Sequence, residues 1–361
     1  MWSKVRNSLI WLPEYLKQHL RPRAGAPEHV FFSICDHFEP YNNRPDAATA
    51  YRRIKKWVDH YPGIAEAFRD CDGKWLKYTF FYPQEEYTEP DLNLLAGLCR
   101  GGYGEVEVHL HHDNDTSENL RRTLLDFRDL LHERHGLLPV DATTGKVGYG
   151  FIHGNWALAN CATGGRWCGV NDEIGILQET GCYADFTLPS FPSETQTRTI
   201  NSIYYAVDDP KRRKPHDTGR KVRVGGAGDG LLMLQGPLGL DWRRRKFGVL
   251  PRFENGGLYP SCPVTTNRVR CWLNERVAVE GAEGAIFVKL YTHGAFDDMS
   301  EFFLKKGGLS TLLGCLTEVC AEENLLLHFV TAREMVNVVR ALESGRSLRE
   351  DLTDFRYRLQ A

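Results

Sequence analysis

The sequence lacks several patterns that mark particular classes of protein. Its ten cysteines include no CxxC pair, and their spacing matches neither a zinc ribbon nor a small disulfide scaffold, so we expect reduced thiols. The 45 lysines and arginines nearly balance the 47 acidic residues, which leaves none of the basic excess typical of general nucleic-acid-binding proteins. No internal repeat or low-complexity tract is present. We therefore expect no nucleic-acid partner.

Long hydrophobic runs are also missing. No uncharged stretch reaches the length that a spanning helix needs, and the N-terminal residues lack the pattern of a secretory signal, so we expect a cytoplasmic location. Residues 1–24 predict an amphipathic helix with Val5, Leu9 and Leu16 on its apolar face. That face either packs on the main domain or, because the flanking charges are mostly basic, makes a peripheral contact with a membrane.

Strand and helix patterns alternate along most of the chain. Apolar and alternating runs predict strands at 29–35, 75–82, 104–111, 146–152, 182–188 and 285–291, with helical periodicity between them. Alternation of this kind indicates an α/β fold with a parallel sheet or a barrel. It breaks down at about 191–284, which we interpret as an insertion within a main domain of residues 25–345. Residues 346–361 form a C-terminal tail.

Polar residues follow several of the predicted strands at the point where the strand ends. Asp36, His37 and Glu39 come directly after the first strand, and His109 and His111 close the third. Residues two apart on a strand share a face, so both imidazoles point the same way, as a zinc site requires. Asp113 could replace His111 as a ligand if the strand ends early.

Two further groups follow later strands. His293 closes the last strong strand, and His153, Asn155 and Trp156 follow the strand at 146–152. The glycine at position 154 permits close approach of a ligand to the backbone, and the Trp156 ring could stack on a sugar. Because the carboxyl ends of parallel strands face one mouth of a barrel, we expect these distant groups to meet.

In this order the motifs resemble the polysaccharide deacetylase (NodB-homology) family over roughly residues 29–300, with the insertion excluded. Asp36 and His37 stand where the family has an Asp-Asp pair, 79–81 matches its T-F-F strand, and His109 matches its histidine motif. Residues 151–156 fill the slot of its Arg-Pro segment without the arginine. The resemblance implies a distorted (β/α)7 barrel of the glycoside hydrolase/deacetylase type that binds a divalent metal, expected to be Zn²⁺.

Together, the residues and the resemblance predict a metal-dependent hydrolase that deacetylates an N-acetylated sugar or polysaccharide precursor. Its roles are distributed as metal ligands (His37, His109 and His111), general base (Asp36), general acid (His293) and carbohydrate-binding residues (His153, Asn155 and Trp156).

Two alternatives stay open at this point. One is a metal-independent glycoside hydrolase on a related barrel, because Glu39, Asp113, Asp115 and Asp185 could supply the two carboxylates that such chemistry uses. The other is a carbohydrate-binding pseudoenzyme, which the missing arginine suggests. Metal content and turnover distinguish the three.

Overall fold

A computed structural model describes residues 2–22 and 25–360 of the chain. Met1, Arg23 and Ala24 of the predicted N-terminal segment and Ala361 of the predicted tail lie outside the described residues. The described residues form nine α-helices, which are α1 (Trp2–Leu20), α2 (Ala47–Ala65), α3 (Glu89–Arg100), α4 (Ser117–Asp129), α5 (Glu173–Thr180), α6 (Thr266–Asn274), α7 (Asp297–Leu304), α8 (Gly308–Glu322) and α9 (Ala332–Glu343).

Fourteen strands complete the secondary structure of the described residues. They are β1 (His29–His37), β2 (Tyr78–Pro83), β3 (Gly104–Leu110), β4 (Val140–Asp141), β5 (Tyr149–His153), β6 (Cys182–Asp185), β7 (Ile203–Ala206), β8 (Arg220–Lys221), β9 (Leu231–Leu234), β10 (Gly239–Lys246), β11 (Leu250–Glu254), β12 (Ala285–Thr292), β13 (Leu326–Phe329) and β14 (Tyr357–Arg358). The predicted strands all appear, with ends shifted by a few residues, because apolar alternation locates a strand better than it locates the strand's last hydrogen bond.

The main sheet has ten strands in the order β12-β1-β2-β3-β5-β6-β9-β7-β8, with β13 also paired to β1. Pairing is parallel from β12 to β9 and antiparallel where β7 meets β9 and β8. The α/β class with a mainly parallel sheet is therefore confirmed. Within residues 2–22 and 25–360 no strand pairing joins the β8 end to β12, so a closed barrel is not observed.

Each face of the sheet buries its own apolar cluster, because successive strand residues point to opposite sides. One cluster takes Phe32 and Phe80 from the sheet and Trp57 from α2. The other takes Phe31 and Phe81 and is covered by α9. The sheet is thus buried on both faces, as parallel sheets require.

Helix α1 packs on the segment that follows β6. Its Trp11 and Tyr15 are buried against Phe191, Ile200 and Leu238. Elsewhere on the helix Leu9 and Leu16 are exposed. The stretch predicted as an insertion supplies β7, β8 and β9 to the main sheet and the separate β10–β11 hairpin. None of the described helices has the length and apolar character needed to cross a membrane.

The parallel strands β1, β2, β3 and β12 bring their carboxyl ends to one edge of the sheet. In the register of the sheet, Asp36 lies opposite Thr292 and Pro83 lies opposite His109. The polar residues that follow these strands are therefore neighbours in space. Pairing of the strands therefore brings residues 37, 85, 109 and 293 together at this edge, although they are far apart in the sequence.

Candidate functional site

A carboxylate surrounded by imidazoles forms the centre of this edge. The Oε1 atom of Glu39 lies 3.2 Å from Nε2 of His109, 3.6 Å from Nε2 of His111 and 3.8 Å from Nε2 of His293. The His37 ring lies beside them, with its centroid 4.9 Å from that of His109 and 4.8 Å from that of His293. These five residues are called the central cluster below.

Two overlapping trios in the central cluster could hold a metal ion. One consists of His37, Glu39 and His293, and the other of Glu39, His109 and His111. Glu39 belongs to both trios, so a single ion bound here would take Glu39 as a ligand. From the sequence, Glu39 was recognised as a polar residue at a strand end but was not among the candidate metal ligands. Its position two residues after His37 was the available signal.

The strand geometry explains how the central cluster forms. His37 is the last residue of β1, and His109 lies in β3 next to its end. His293 directly follows β12. Glu39 is buried, whereas the side chains of His111 and His293 are 31% and 19% exposed. A small molecule can therefore reach the central cluster from the side of these two imidazoles.

The rim of the central cluster includes a second carboxylate, Glu85, which was not identified from the sequence. Its Oε1 lies 2.5 Å from Nδ1 of His111, and the carboxylate also accepts the His111 backbone N–H. Gly154 lies against the other side of the same ring, where an added Cβ would be 2.3 Å from the imidazole. The ring of His111 is thus held in place by a hydrogen bond and by close packing.

The electrostatic environment differs among the members of the central cluster. Burial acts to raise the pKa of Glu39, but the hydrogen bond from His109 and the neighbouring imidazoles outweigh it and lower the pKa. Burial lowers the pKa of His37 well below its ordinary value and lowers that of His293. Burial opposes protonation of His111 as well, but the hydrogen bond with Glu85 raises its pKa. The carboxylate form of Glu39 is therefore favoured.

The donors of the central cluster fit a borderline divalent ion. Imidazole nitrogens and a carboxylate oxygen are the ligands of many zinc sites. The Nδ1 atoms of His37 and His109 are buried and have no hydrogen-bond partner among the described residues. Nε2 of His109 faces Glu39, so ligation through that atom would place the ring proton on the unpartnered Nδ1.

Asp36, predicted as general base, lies outside the central cluster. It precedes His37 on β1 and so points to the opposite face of the sheet. Its two oxygens accept hydrogen bonds from the backbone N–H of Gly294 at 2.7 Å and from the Tyr78 hydroxyl at 3.0 Å. Burial raises its pKa to about 7. Both oxygens of Asp36 are occupied, the side chain is fully buried, and it holds the chain next to His293. Its role as general base stays a prediction.

The three residues predicted to bind carbohydrate lie in different environments. Trp156 lies at the central cluster, with its ring edge-on to those of His37 and His293 at 5.9 and 6.3 Å between centroids. His153 is fully buried and packs against His112, so it cannot touch a substrate in this conformation. Asn155 donates from Nδ2 to the backbone oxygen of His112. Of the three, Trp156 is the residue whose ring lies beside the central cluster, and the carbohydrate-binding roles stay predictions.

The remaining acidic candidates have structural partners. Asp113 accepts the backbone N–H of Trp167, and Asp115 accepts that of Thr116. Asp185 is fully buried and accepts hydrogen bonds from Thr187. Among the four carboxylates considered for a glycoside hydrolase, only Glu39 lies in the central cluster.

Comparison with known proteins gives limited information about this chain. No family model matches it, and no curated protein matches its sequence. One solved structure that resembles it is the 4-alpha-glucanotransferase from Thermococcus litoralis, with 12% sequence identity and a TM-score of 0.43. The alignment covers 84% of this chain, which spans 39% of the length of that chain. A likeness at this level does not identify a reaction.

Proposed function

We propose that the protein is a metal-dependent hydrolase that removes the acetyl group from an N-acetylated sugar. The observation that supports the proposal is the Glu39 carboxylate with imidazole nitrogens from three separate positions of the chain within 3.2 to 3.8 Å. The barrel-like deacetylase architecture expected from the sequence and the choice of zinc are parts of the same proposal.

Glu39, His109 and His111 would hold the ion. We choose this trio because the orientation of the His111 ring is fixed by a hydrogen bond between its Nδ1 and Glu85. Carboxylates commonly hold metal-bound histidines in this way. Three protein ligands are typical of catalytic zinc sites, which keep a position for water. When bound, such an ion lowers the pKa of water and polarises an amide carbonyl.

The two imidazoles outside this trio are available for proton transfer. Burial keeps His37 in its neutral form, which can accept a proton from the attacking water. His293 is partly exposed, and its ring centroid lies 4.8 Å from that of His37. Because burial lowers its pKa, His293 would donate to the leaving amine nitrogen only after gaining a proton, such as the one that His37 takes from water. His37 thus takes the place of Asp36 as general base and is no longer assigned as a ligand.

Substrate binding is assigned to the aromatic residue beside these histidines. The Trp156 ring supplies an apolar wall beside His37 and His293, against which the carbon-bound face of a pyranose ring can pack.

The experiment compares Glu39→Gln with Asp36→Asn. Each is purified, loaded with zinc and assayed for bound zinc and for acetate released from oligomers of N-acetylglucosamine. Glu39→Gln should lose both zinc and acetate release, because an amide is a poor ligand for this ion. Asp36→Asn should keep zinc, since its carboxylate does not face the central cluster.

Three results would contradict the proposal in different ways. Full acetate release after exhaustive chelation rules out metal dependence. Hydrolysis of the glycosidic bond in the presence of a chelator favours the glycoside hydrolase. Binding of the oligomer without turnover in the zinc-loaded protein favours the pseudoenzyme.

A further inference from the structure

A second group of metal-binding side chains lies beside the central cluster and shares no residue with it. It consists of His112, His153, Cys168 and Glu173, and one ligand atom from each lies within 4.8 Å of the others. Three of the four are fully buried, and the His112 side chain is 6% exposed. We call this group the loop cluster, because Cys168 lies in the long loop 154–172 between β5 and α5.

The distances within the loop cluster suit a tetrahedral ion. The Glu173 carboxylate lies 3.2 Å from Nε2 of His112 and 3.9 Å from Nε2 of His153 through Oε1, and 3.3 Å from Sγ of Cys168 through Oε2. Ligand atoms at zinc bond lengths of about 2.0 to 2.3 Å in a tetrahedron are about 3.3 to 3.8 Å apart. The side chains therefore need only small shifts to surround one ion.

Two buried ring nitrogens in the loop cluster have no hydrogen-bond partner among the described residues. They are Nε2 of His153, whose side chain is completely buried, and Nδ1 of His112. Asp115 lies 3.2 Å from the latter nitrogen, outside hydrogen-bonding geometry. A buried polar atom without a partner calls for an explanation, and a cation shared with the neighbouring carboxylate and sulfur would provide one for His153.

Burial and the Glu173 carboxylate raise the pKa of the Cys168 thiol, so a thiolate forms there only when a bound cation displaces the thiol proton. The backbone N–H groups of Asn160 and Val170 both lie 3.4 Å from Sγ and can donate to it. Hydrogen bonds to the charged form stabilise that form. A thiolate and the Glu173 carboxylate carry two negative charges, which a divalent ion with two neutral imidazoles balances.

We infer that His112, His153, Cys168 and Glu173 form a structural zinc site that fastens the loop 154–172 to the sheet. Four protein ligands close the coordination sphere, as in structural rather than catalytic zinc sites. Ligation through Nε2 places the ring proton of His153 on Nδ1, so its 3.2 Å contact with the backbone nitrogen of Asn155 has to lengthen.

The loop gains a rigid conformation from such an ion. Trp156, Ala159, Asn160 and Trp167 all have positive φ angles between 48° and 65°, which cost free energy for residues with a side chain. Trp156 carries the ring that lies beside His37 and His293. The zinc site therefore positions a residue that lies beside the central cluster, although the inference does not depend on the reaction proposed above.

The test uses the wild-type chain stripped with a chelator and reloaded with one metal alone. With cobalt(II), the protein should show a sulfur-to-cobalt charge-transfer band, because Cys168 is a ligand. With zinc, X-ray absorption should detect one sulfur neighbour at about 2.3 Å. Both measurements use the unmutated protein, so they remain decisive even where a variant does not fold.

Variants assign the signal to its site. Cys168→Ser should lose the band and one equivalent of zinc. Cys71→Ser is the matched control, since Cys71 is exposed near Asp72 and His328, and it should keep both. His109→Ala should keep the band while losing any ion of the central cluster, which separates failure of this inference from failure of the proposed function. Absence of any sulfur neighbour in the zinc-loaded wild type, or an unchanged band in Cys168→Ser, would overturn it.

Discussion

Substitution of Gly294 by alanine tests the support behind the central cluster. A Cβ at this position would lie 2.2 Å from Oδ2 of Asp36 and 2.6 Å from the ring of Trp57, both of which are fully buried. The backbone around Gly294 is tied to the same two side chains, through its N–H to Asp36 at 2.7 Å and through its carbonyl from Trp57 Nε1 at 2.9 Å. The new methyl group therefore cannot be accommodated without moving this backbone.

The expected loss of stability in Gly294→Ala follows from these contacts. Overpacking of a buried site costs about 1 to 3 kcal/mol, and weakening one of the two buried hydrogen bonds adds about 1 kcal/mol, so the free energy of unfolding should fall by about 2 to 4 kcal/mol. With a slope of about 3 kcal/mol per molar urea, the midpoint falls by roughly 1 M. Acetate release should fall as well, because the displaced backbone adjoins His293, the proposed proton donor.

Gly97→Ala is the matched control. Gly97 lies in α3 and is exposed, and a Cβ added there would have no atom within 4 Å. Alanine there should raise stability by about 0.5 to 1 kcal/mol, because it restricts the unfolded chain and favours helix. Urea unfolding of the two variants should shift in opposite directions. A Gly294→Ala protein within about 0.5 kcal/mol of the wild type would refute the packing argument, since ordinary surface substitutions fall in that range.

Three further outcomes are expected. Arg268→Met should lower the free energy of unfolding by about 3 to 5 kcal/mol in thermal or urea unfolding, because it leaves the Glu254 carboxylate buried without the two 2.8 Å hydrogen bonds from the guanidinium. The double variant Arg268→Met with Glu254→Leu should recover part of that loss, and no recovery would contradict the ion-pair explanation. Burial raises the pKa of Glu107 from 4.5 to about 8, so the stability that its protonated form contributes is present below pH 4.5 and is lost as the pH rises through about 8. The free energy of unfolding of Glu107→Gln, measured in urea relative to that of the wild type, should therefore be more favourable at pH 9 than at pH 6. Equal differences at the two pH values would argue against a protonated Glu107. If α1 contacts membranes, cosedimentation with anionic vesicles should fall when the exposed Leu9 and Leu16 are both changed to serine, whereas a wild type that stays in the supernatant speaks against membrane association.

Much of the secondary structure could be predicted from the sequence, because strand and helix periods are local properties. The alternation at 104–111 located β3, and the apolar run at 285–291 located β12. Parallel pairing then implied that residues at the carboxyl ends of these strands would meet, and His37, His109, His111 and His293 do lie together. The metal and the catalytic roles assigned to them stay predictions.

The sequence did not determine which side of β1 faces the site. Asp36 and His37 are adjacent, and strand alternation requires only that they point in opposite directions. The choice was made by helix α2, whose Trp57 packs with Tyr78 on the face that takes Asp36. His37 was thereby left on the face that carries His109. The local sequence pattern determines that neighbouring side chains alternate between the two faces of the sheet. Packing against distant elements determines which of them faces the site.

The same distinction applies to His111, His112 and His153. The sequence showed three histidines within four positions, 109–112, and could not divide them. Beyond the end of β3 the chain no longer alternates, and His112 turns to meet His153 and Glu173 while His111 stays with Glu39. The sequence by itself therefore determined the residue types and the positions of the strands. Their division between two clusters was decided by the fold, because it depends on where β5, α5 and the loop between them lie.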